Sequence, residues 1–154
     1  MTEHEIYMTE ALALAKEAMD EGEVPVGCVI VHRGRIVGRG RNRRETDKNA
    51  LAHAELEAIN EACGTLGGWR LPDCTLYVTL EPCPMCAGAI VNARIDRAVI
   101  ALADPKSGAL GSVISLNAYP LNHKVATTYG VLSDKAREYM QSFFSSIRVK
   151  LGRK

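Results

Sequence analysis

Two short segments of the sequence contain side chains that could bind a metal ion and move protons. One reads His-Ala-Glu at residues 53–55, and the other reads Pro-Cys-Pro-Met-Cys at residues 82–86. Each segment opens a predicted helix, so its reactive side chains are expected near a helix N-terminus. Cys83 and Cys86 are three residues apart and face the same way on a first helical turn. The helix dipole favours negative charge there, and it therefore favours the thiolates that a metal requires.

The number of available ligands distinguishes two kinds of zinc site. His53, Cys83 and Cys86 supply the borderline and soft donors that suit zinc. A structural zinc site normally has four protein ligands, whereas a catalytic site has three and an exchangeable water. The other three of the five cysteines are isolated in the sequence. The motif therefore predicts a three-ligand catalytic site, at which zinc could activate water near neutral pH.

Glu55 is placed to carry protons for such a site. It lies two residues from His53, so the two side chains diverge on an ideal helix and could not easily ligate one metal together. A carboxylate beside the water could accept its proton and later deliver it to a leaving amine. The Cys-x-x-Cys pair is also compatible with thiol redox chemistry. However, the proline-rich segment before it does not match the context of a thioredoxin-like motif.

The composition predicts an ordinary globular protein. The 154 residues fit a single domain, residues 1–154, and a chain of this length can bury a core without disulfides. An odd number of cysteines and the lack of an N-terminal signal pattern predict a reduced, cytoplasmic protein. No apolar run approaches the roughly 20 residues of a membrane span, so no membrane partner is expected.

The net charge of +1 conceals two local basic stretches. Such stretches could attract phosphate groups, although charge alone favours a solvated polar face as the explanation. The first comprises Arg33, Arg35, Arg39, Arg41, Arg43 and Arg44, and the second, at the C-terminus, comprises Arg148, Lys150, Arg153 and Lys154.

Periodicity predicts an alternation of helices and strands. Helices are expected over residues 3–21, 53–62, 84–93 and 133–149, the last with Ser133 as its N-cap. Strands are expected over 26–31, 35–41, 76–80, 97–102 and 124–128, with Arg33-Gly34 turning the first hairpin. Residues 64–73 and 104–123 are predicted loops, and a loop of the second length is usually functional or mobile. This alternation predicts a three-layer α/β domain.

The orientation of the Asn42 side chain is predicted from the alternation of side chains along the second strand. If the arginines at odd-numbered positions face outward, the side chain of Asn42 faces inward at the end of the strand. A buried amide needs a hydrogen-bond partner, and a ligand could be that partner. Capping of the following loop is an equally good explanation from the pattern alone.

The two motifs together carry a resemblance to a known family. His-x-Glu followed by Pro-Cys-x-x-Cys is the signature of the zinc-dependent cytidine and nucleobase deaminase superfamily. Longer runs resemble the bacterial tRNA-specific adenosine deaminases within it. They lie at residues 79–90, 25–27, 41–42, 104–109 and 121–125, and the similarity extends over nearly the whole chain.

The resemblance implies a cytidine-deaminase-like fold, with a central five-stranded mixed sheet and helices on both faces. It implies one zinc ion per subunit, bound by His53, Cys83 and Cys86, with Glu55 as the proton shuttle. The implied reaction converts adenosine to inosine at the wobble position of a tRNA anticodon. The implied partners are a tRNA anticodon stem-loop and a second copy of the chain in a homodimer.

The resemblance also implies a set of substrate contacts. Asn42 would hydrogen-bond the purine ring, and the backbone at Ala54 and Pro82 would contact base or water. Val26 and His53 would flank the extruded base. The loops would hold the anticodon backbone, and the last helix would stack on or bind nearby nucleotides; the residues concerned are Asp104, Lys106, Ser107, Asn122 and His123 in the loops, and Phe143, Phe144 and Arg148 in the helix.

Two other functions share some of these features. A deaminase of a free base or nucleotide, such as guanine or cytosine, would have the same metal site but no need for the basic hairpin, the 104–112 loop or the basic C-terminus. A zinc-stabilised RNA-binding module would explain the basic stretches. It would not explain an open ligand position beside a carboxylate.

Overall fold

The computed structural model describes residues 1–152, and in this range it contains four α-helices and five strands. Arg153 and Lys154, which belong to the predicted basic C-terminus, lie outside the described residues. In chain order the elements are α1 (Glu3–Asp20), β1 (Gly27–His32), β2 (Arg35–Arg41), α2 (Ala54–Leu66), β3 (Cys74–Leu80), α3 (Pro84–Asn92), β4 (Arg97–Leu102), β5 (Ala126–Tyr129) and α4 (Ser133–Lys150), with a 3-10 turn at Leu116–Ala118 before β5.

The five strands form one mixed sheet in the order β2-β1-β3-β4-β5. Strand β1 is antiparallel to both β2 and β3, whereas β3, β4 and β5 run parallel. Arg33 and Gly34 turn the β1–β2 hairpin, and both have positive φ angles, of 49° and 79°. This is the backbone conformation of the tight turn that matches the twist of two antiparallel strands. The predicted mixed sheet and hairpin turn are confirmed.

The sheet separates two hydrophobic cores because alternate residues of each strand point to opposite faces. On one face, Ile30 and Ile100 pack with residues of α2 and α3. On the other face, Val29 and Val99 pack with residues of α1 and α4. The result is the predicted three-layer arrangement. Among the described residues, none of the helices combines the length and the apolar character needed to cross a bilayer.

Helix α2 lies unusually close to strand β2. A Cβ atom on Gly40 would overlap the Ala54 carbonyl oxygen, and one on Gly38 would overlap the carbonyl oxygen of Ala58. The two glycines therefore let the helix backbone rest directly on the strand. This contact sets the position of the first turn of α2, which carries the His-Ala-Glu motif.

Several predicted boundaries differ from the structure. Helix α2 continues to Leu66, where Gly67 ends it in a left-handed conformation with φ 77°, so the glycine at residue 64 is helical instead of opening a loop. Strand β5 begins at Ala126, two residues later than predicted. The prediction that Ser133 caps α4 is wrong. Leu132 holds the N-cap position with φ 55° and Ser133 is the first helical residue.

The close contact between β2 and α2 predicts a large effect of Gly40→Ala on stability. The added methyl group meets a helix carbonyl that cannot rotate away, so the free energy of unfolding should fall by about 3 kcal/mol or more. Urea denaturation of the purified variant measures this change. Gly64→Ala is the matched control, because a Cβ there meets open space within a helix and should stabilise by about 0.5–1 kcal/mol. Equal stabilities of the two variants would contradict the prediction.

Candidate metal centre and substrate cavity

Both motifs lie at helix N-termini, as predicted. His53 is the extended residue immediately before α2, and Cys83 occupies the same position before α3. Pro84 is the first residue of α3, where its missing N–H costs little. Cys86 lies in the first turn of the same helix with its side chain buried. Neither His53 nor Cys83 uses its side chain to cap its helix, so both can act as ligands.

The three side chains converge on one point. Nδ1 of His53 is 3.7 Å from Sγ of Cys83 and 3.5 Å from Sγ of Cys86. Within residues 1–152 these three form the one group of His, Cys, Asp and Glu side chains close enough to share a metal ion. Tetrahedral zinc with bonds of about 2.3 Å to sulfur and about 2.0 Å to nitrogen would hold S and N about 3.6 Å apart. The donor set and its spacing therefore fit zinc.

The close contact between the two cysteines shifts the pKa values of their thiols in opposite directions. The hydrogen bond from the Cys86 thiol lowers the pKa of Cys83 to about 4, and His53 contributes to the same shift. The pKa of Cys86 is raised, because its hydrogen bond to Cys83 and its burial both favour the neutral thiol. Metal ligation requires the deprotonated form of cysteine, so a divalent cation bound here would favour both thiolates.

Glu55 lies in the first turn of α2 and is only 4% exposed. Burial raises its pKa to about 7. A carboxyl group with a pKa near neutral can both accept and return a proton, as a general acid–base catalyst must. It stands beside the metal-binding group without belonging to it, which is the arrangement expected of a proton carrier.

A cavity of about 410 Å³ opens beside the cluster, which is within the usual size range of small-molecule sites. Many of the predicted site residues line it, and they come from every part of the chain. These residues are Val26, Asn42, His53, Ala54, Glu55, Cys83, Asp104, Lys106, Ser107 and Phe144.

Asn42 lies at the cavity and forms the turn-capping contacts that its sequence pattern allowed, whereas its contact with a ligand stays a prediction. It is 8% exposed and lines the cavity. Its Oδ1 accepts a hydrogen bond from the Arg44 backbone N–H at 3.2 Å, and its Nδ2 donates to the Val24 carbonyl at 3.4 Å. The amide therefore caps the following turn and is held by that turn in a fixed orientation toward the cavity.

The loop after β4 forms another wall of the cavity. The carboxylate of Asp104 accepts hydrogen bonds from the backbone N–H of Lys106 at 2.9 Å and from the Ser107 hydroxyl at 2.8 Å. These bonds give the turn at residues 104–107 a defined shape. Lys106 and Ser107 are thereby held at the cavity rim by hydrogen bonds within the turn.

The predicted aromatic residues of α4 divide between core and cavity. Phe144 is 44% exposed and lines the cavity, whereas Phe143 is 8% exposed and packs its ring against Phe144. Arg148 lies one turn further along, exposed and outside the cavity wall, where it donates a hydrogen bond to Ser145. Phe144 is thus the aromatic side chain of this helix that a base in the cavity could reach.

Three other predicted contacts also lie outside the cavity wall. Nε2 of His123 is 2.6 Å from the carbonyl of Ile95, which fixes its ring to the body of the protein. Asn122 borders a separate surface depression beside α3. The carbonyl of Pro82 accepts the backbone N–H of Ala109 at 2.9 Å.

The sequence patterns missed eight residues of the cavity wall. Helical spacing could have found Met140, which lies one turn before Phe144 on the same face. The others sit at strand ends and in turns, where no periodic signal marks them. The missed residues are Val24, Arg44, Leu80, Glu81, Leu102, Ala103, Pro105 and Met140.

Part of the basic hairpin is neutralised by neighbouring acids. Arg41 pairs with Glu21 at 2.6 Å and with Glu17 at 3.7 Å. Arg43 lies 2.9 Å from a carboxylate oxygen of Glu57. These two arginines therefore help to hold the helices against this segment. Because their charges are offset by neighbouring carboxylates, they contribute less to an anion-binding surface than unpaired arginines would.

The fold and the site together define a deaminase of the cytidine and nucleobase type, with a His/Cys/Cys metal group, a buried glutamate and an adjoining cavity. Residues 2–148 match the model of the MafB19-like deaminase family, and the chain belongs to this family. The resemblance inferred from the two motifs is confirmed.

Individual relatives are similar over almost the whole chain. A tRNA-specific adenosine deaminase of Bacillus subtilis is 46% identical over 97% of this chain and 94% of its own length. A second, from Streptococcus pyogenes serotype M1, is 44% identical over 94% of this chain and 85% of its own length.

Solved structures share the fold. A chain from a study of A-to-I editing by tRNA:A34 deaminases at the wobble position of transfer RNA superposes with a TM-score of 0.84 and 40% identity, over 87% of this chain and 99% of that one. Guanine deaminase from Bacillus subtilis superposes with a TM-score of 0.64 and 34% identity, over 79% of this chain and 88% of that one.

The ligand geometry predicts that Cys86→Ala weakens zinc binding by about 100-fold or more, because the remaining pair of donors cannot complete the site. Competition with a chromogenic chelator on zinc-loaded protein measures the affinity. Cys74→Ala is the matched control, since this thiol is equally buried but lies outside the cluster. Unchanged zinc affinity in the Cys86 variant would show that the ligand set is wrong.

Proposed function

We propose that the protein deaminates adenosine to inosine by hydrolysis at the wobble position of a tRNA anticodon, with one zinc ion bound per subunit. The observation that carries this proposal is the buried carboxyl of Glu55 beside the His53, Cys83 and Cys86 group, at the side of a cavity large enough for a base. The substrate is proposed from relatives that are 46% and 44% identical to this chain, which are named as tRNA-specific adenosine deaminases.

His53, Cys83 and Cys86 would hold the zinc ion. When bound, zinc would supply Lewis acidity, the property that lets zinc hydrolases use water as a nucleophile near neutral pH. Three protein ligands leave a position open to solvent or substrate, which distinguishes a catalytic from a structural role.

Glu55 would move the protons of the reaction. Its carboxylate accepts a proton from the attacking water as the new bond to C6 of the adenine ring forms. The resulting carboxyl group donates that proton to N1 of the ring. The carboxylate then takes the proton of the new C6 hydroxyl and delivers it to the amino group, so that the C6–N bond breaks, ammonia leaves and the C6 carbonyl of inosine forms. Each transfer needs a group that is protonated in one step and ionised in the next, and the raised pKa of Glu55 suits both states.

The cavity wall would orient the base for this attack. Asn42, held by its bonds to Arg44 and Val24, presents a preformed amide to the purine edge. Val26 lines the same wall and would contact the face of the base. A fixed amide avoids the entropy cost of ordering a side chain when the substrate binds.

The anticodon loop would reach the cavity by extruding one nucleotide. A base leaves an unpaired loop at lower cost than a duplex, because only stacking is lost. Lys106 and Ser107 lie at the rim, where phosphate oxygens of neighbouring nucleotides would pass, and Phe144 offers an aromatic surface. Asn122, His123, Phe143 and Arg148 remain proposed as more distant contacts with the RNA, by family resemblance alone.

A free purine base is the second candidate substrate. The structural similarity to guanine deaminase at 34% identity favours this alternative, and the metal and proton chemistry would be the same. The greater similarity to the tRNA-acting relatives favours the anticodon.

The family resemblance leads us to propose a homodimer that acts in the cytoplasm, with residues 1–154 forming a single catalytic domain.

The first test is inosine formation in an anticodon stem-loop with adenosine at the wobble position. The zinc-loaded protein should produce inosine, and Glu55→Ala should lower kcat by about 10²–10⁴-fold or more, because the proton carrier is lost. The variant should keep one zinc per chain, because Glu55 is not a ligand.

The outcomes of this test separate the candidate substrates and roles. Ammonia release from guanine without inosine formation would move the protein to the free-base alternative. Loss of zinc from the Glu55 variant would show that its proposed role is wrong.

The position of Phe144 predicts an effect on RNA binding. Phe144→Ala should raise KM for the stem-loop by about 5- to 150-fold, the range that corresponds to one lost base–aromatic stack. Val149→Ala, a change of an exposed apolar residue on the same helix, is the control and should leave KM unchanged. Equal KM values for both variants, with the fold intact by circular dichroism, would exclude Phe144 as a stacking surface.

A further inference from the structure

Glu81 is a buried carboxylate whose role the sequence did not reveal. It lies between the end of β3 and Cys83, and it is 2% exposed. A buried carboxylate is costly unless its oxygens are fully hydrogen-bonded. Its partners therefore indicate what the residue is for.

Four hydrogen bonds to this carboxylate come from one loop, residues 104–112. Oε1 accepts the backbone N–H of Asp104 at 3.0 Å and the hydroxyl of Ser112. Oε2 accepts the backbone N–H of Leu110 at 3.1 Å and that of Ser112 at 3.1 Å. The two oxygens thus hold the beginning and the end of the loop together.

Neighbouring backbone contacts strengthen the same attachment. The Glu81 N–H donates to the Leu102 carbonyl at 2.9 Å, and Ala109 N–H donates to the Pro82 carbonyl at 2.9 Å. Gly108 passes so close that a Cβ atom there would overlap the Glu81 carboxyl group. The loop is therefore packed against the carboxylate itself as well as bonded to it.

The attached loop is the one that faces the substrate cavity. Asp104, Lys106 and Ser107 line the cavity, and the Asp104 side chain shapes the turn between them. That turn fixes the internal shape of the loop but not its place on the protein. Its place is set by Glu81, which is two residues from the metal ligand Cys83 in the chain.

We propose that Glu81 is a positioning residue for substrate binding, which holds the 104–112 loop at a fixed distance from the metal centre. Glu81 borders the cavity, but both oxygens of its carboxylate are turned to the loop, so it acts on the substrate through that loop. The inference rests on the proposed function for the identity of the RNA. It adds a residue that governs affinity more than the chemical step.

The test is Glu81→Gln in the full, zinc-loaded chain. Glutamine preserves size but replaces one oxygen by an NH₂ group, which cannot accept a hydrogen bond. One amide orientation loses the bonds from the Leu110 and Ser112 N–H groups, and the other loses the bond from the Asp104 N–H, because the Ser112 hydroxyl can accept from the NH₂ group. KM for the anticodon stem-loop should rise by about tenfold or more, with kcat changed by less than about threefold. In a Glu55→Ala background, the dissociation constant of the same stem-loop should rise by a similar factor.

Hydrogen exchange supplies a readout that general destabilisation would not reproduce. Backbone amides of residues 104–112 should exchange faster in the Glu81 variant. Glu23→Gln is the matched control, because Glu23 is an equally buried carboxylate that accepts the backbone N–H of Glu45 and both the N–H and hydroxyl of Thr46. That variant should accelerate exchange at residues 45–46 and leave residues 104–112 unchanged.

Three results would overturn the inference. One is a KM within about twofold of the wild-type value despite faster exchange in the loop. Another is a raised KM without any change in loop exchange. The third concerns Ser112→Ala, which removes a single hydrogen-bond donor and replaces Glu81→Gln if that variant does not fold. Ser112→Ala must raise KM and accelerate loop exchange by smaller amounts, and the absence of these changes would overturn the inference. A wild-type protein that makes no inosine would instead overturn the proposed function.

Discussion

The convergence of His53, Cys83 and Cys86 depends on how closely helix α2 packs against strand β2. His53 is fixed to the start of that helix, whereas Cys83 and Cys86 are fixed to the start of α3. The chain does not connect the two helices directly. Their N-termini therefore meet only if each helix packs at the correct position on the sheet. Gly40 provides this by letting the carbonyl of Ala54 touch the strand. A donor spacing near 3.6 Å is therefore a consequence of backbone packing some residues away.

Two buried carboxylates hold the loops around this centre in place by hydrogen bonds. Glu23 holds the segment between β2 and α2, and Glu81 holds the loop after β4. Burial alone would raise the pKa of Glu23, but hydrogen bonds from Thr46 and Glu45 bring it below its ordinary value. Each carboxylate accepts hydrogen bonds from neutral donors of a single loop, and charge-assisted bonds of this kind are stronger than neutral ones. In the loop after β4 they add to the packing of Ala109 and Leu110, which are buried in the core. The cavity consequently has defined walls without a helix or strand on every side.

The sequence predicted the strands, the three layers and the convergence of His53, Cys83 and Cys86 because these follow from local patterns, whereas the five-stranded mixed sheet was implied by the family resemblance. Cysteines three residues apart at a helix start must face the same way, and alternating strands must bury alternate residues. The role of Glu81 could not be predicted, because its partners lie more than twenty residues away on a loop without periodicity. The cap of α4 was missed for a related reason. Leu132 adopts a left-handed conformation that tertiary contacts impose, and no residue preference marks it.

The order of these parts along the chain bears on how such enzymes could diversify. The proposed metal ligands and Glu55 all come from residues 53–86, whereas the loop at 104–107 and the cavity-wall residues Met140 and Phe144 follow β4. Mutations in the later segment can therefore reshape what enters the cavity while the reactive groups keep their geometry. A lineage could exchange one substrate for another by drift in the C-terminal third, with the catalytic half inherited unchanged.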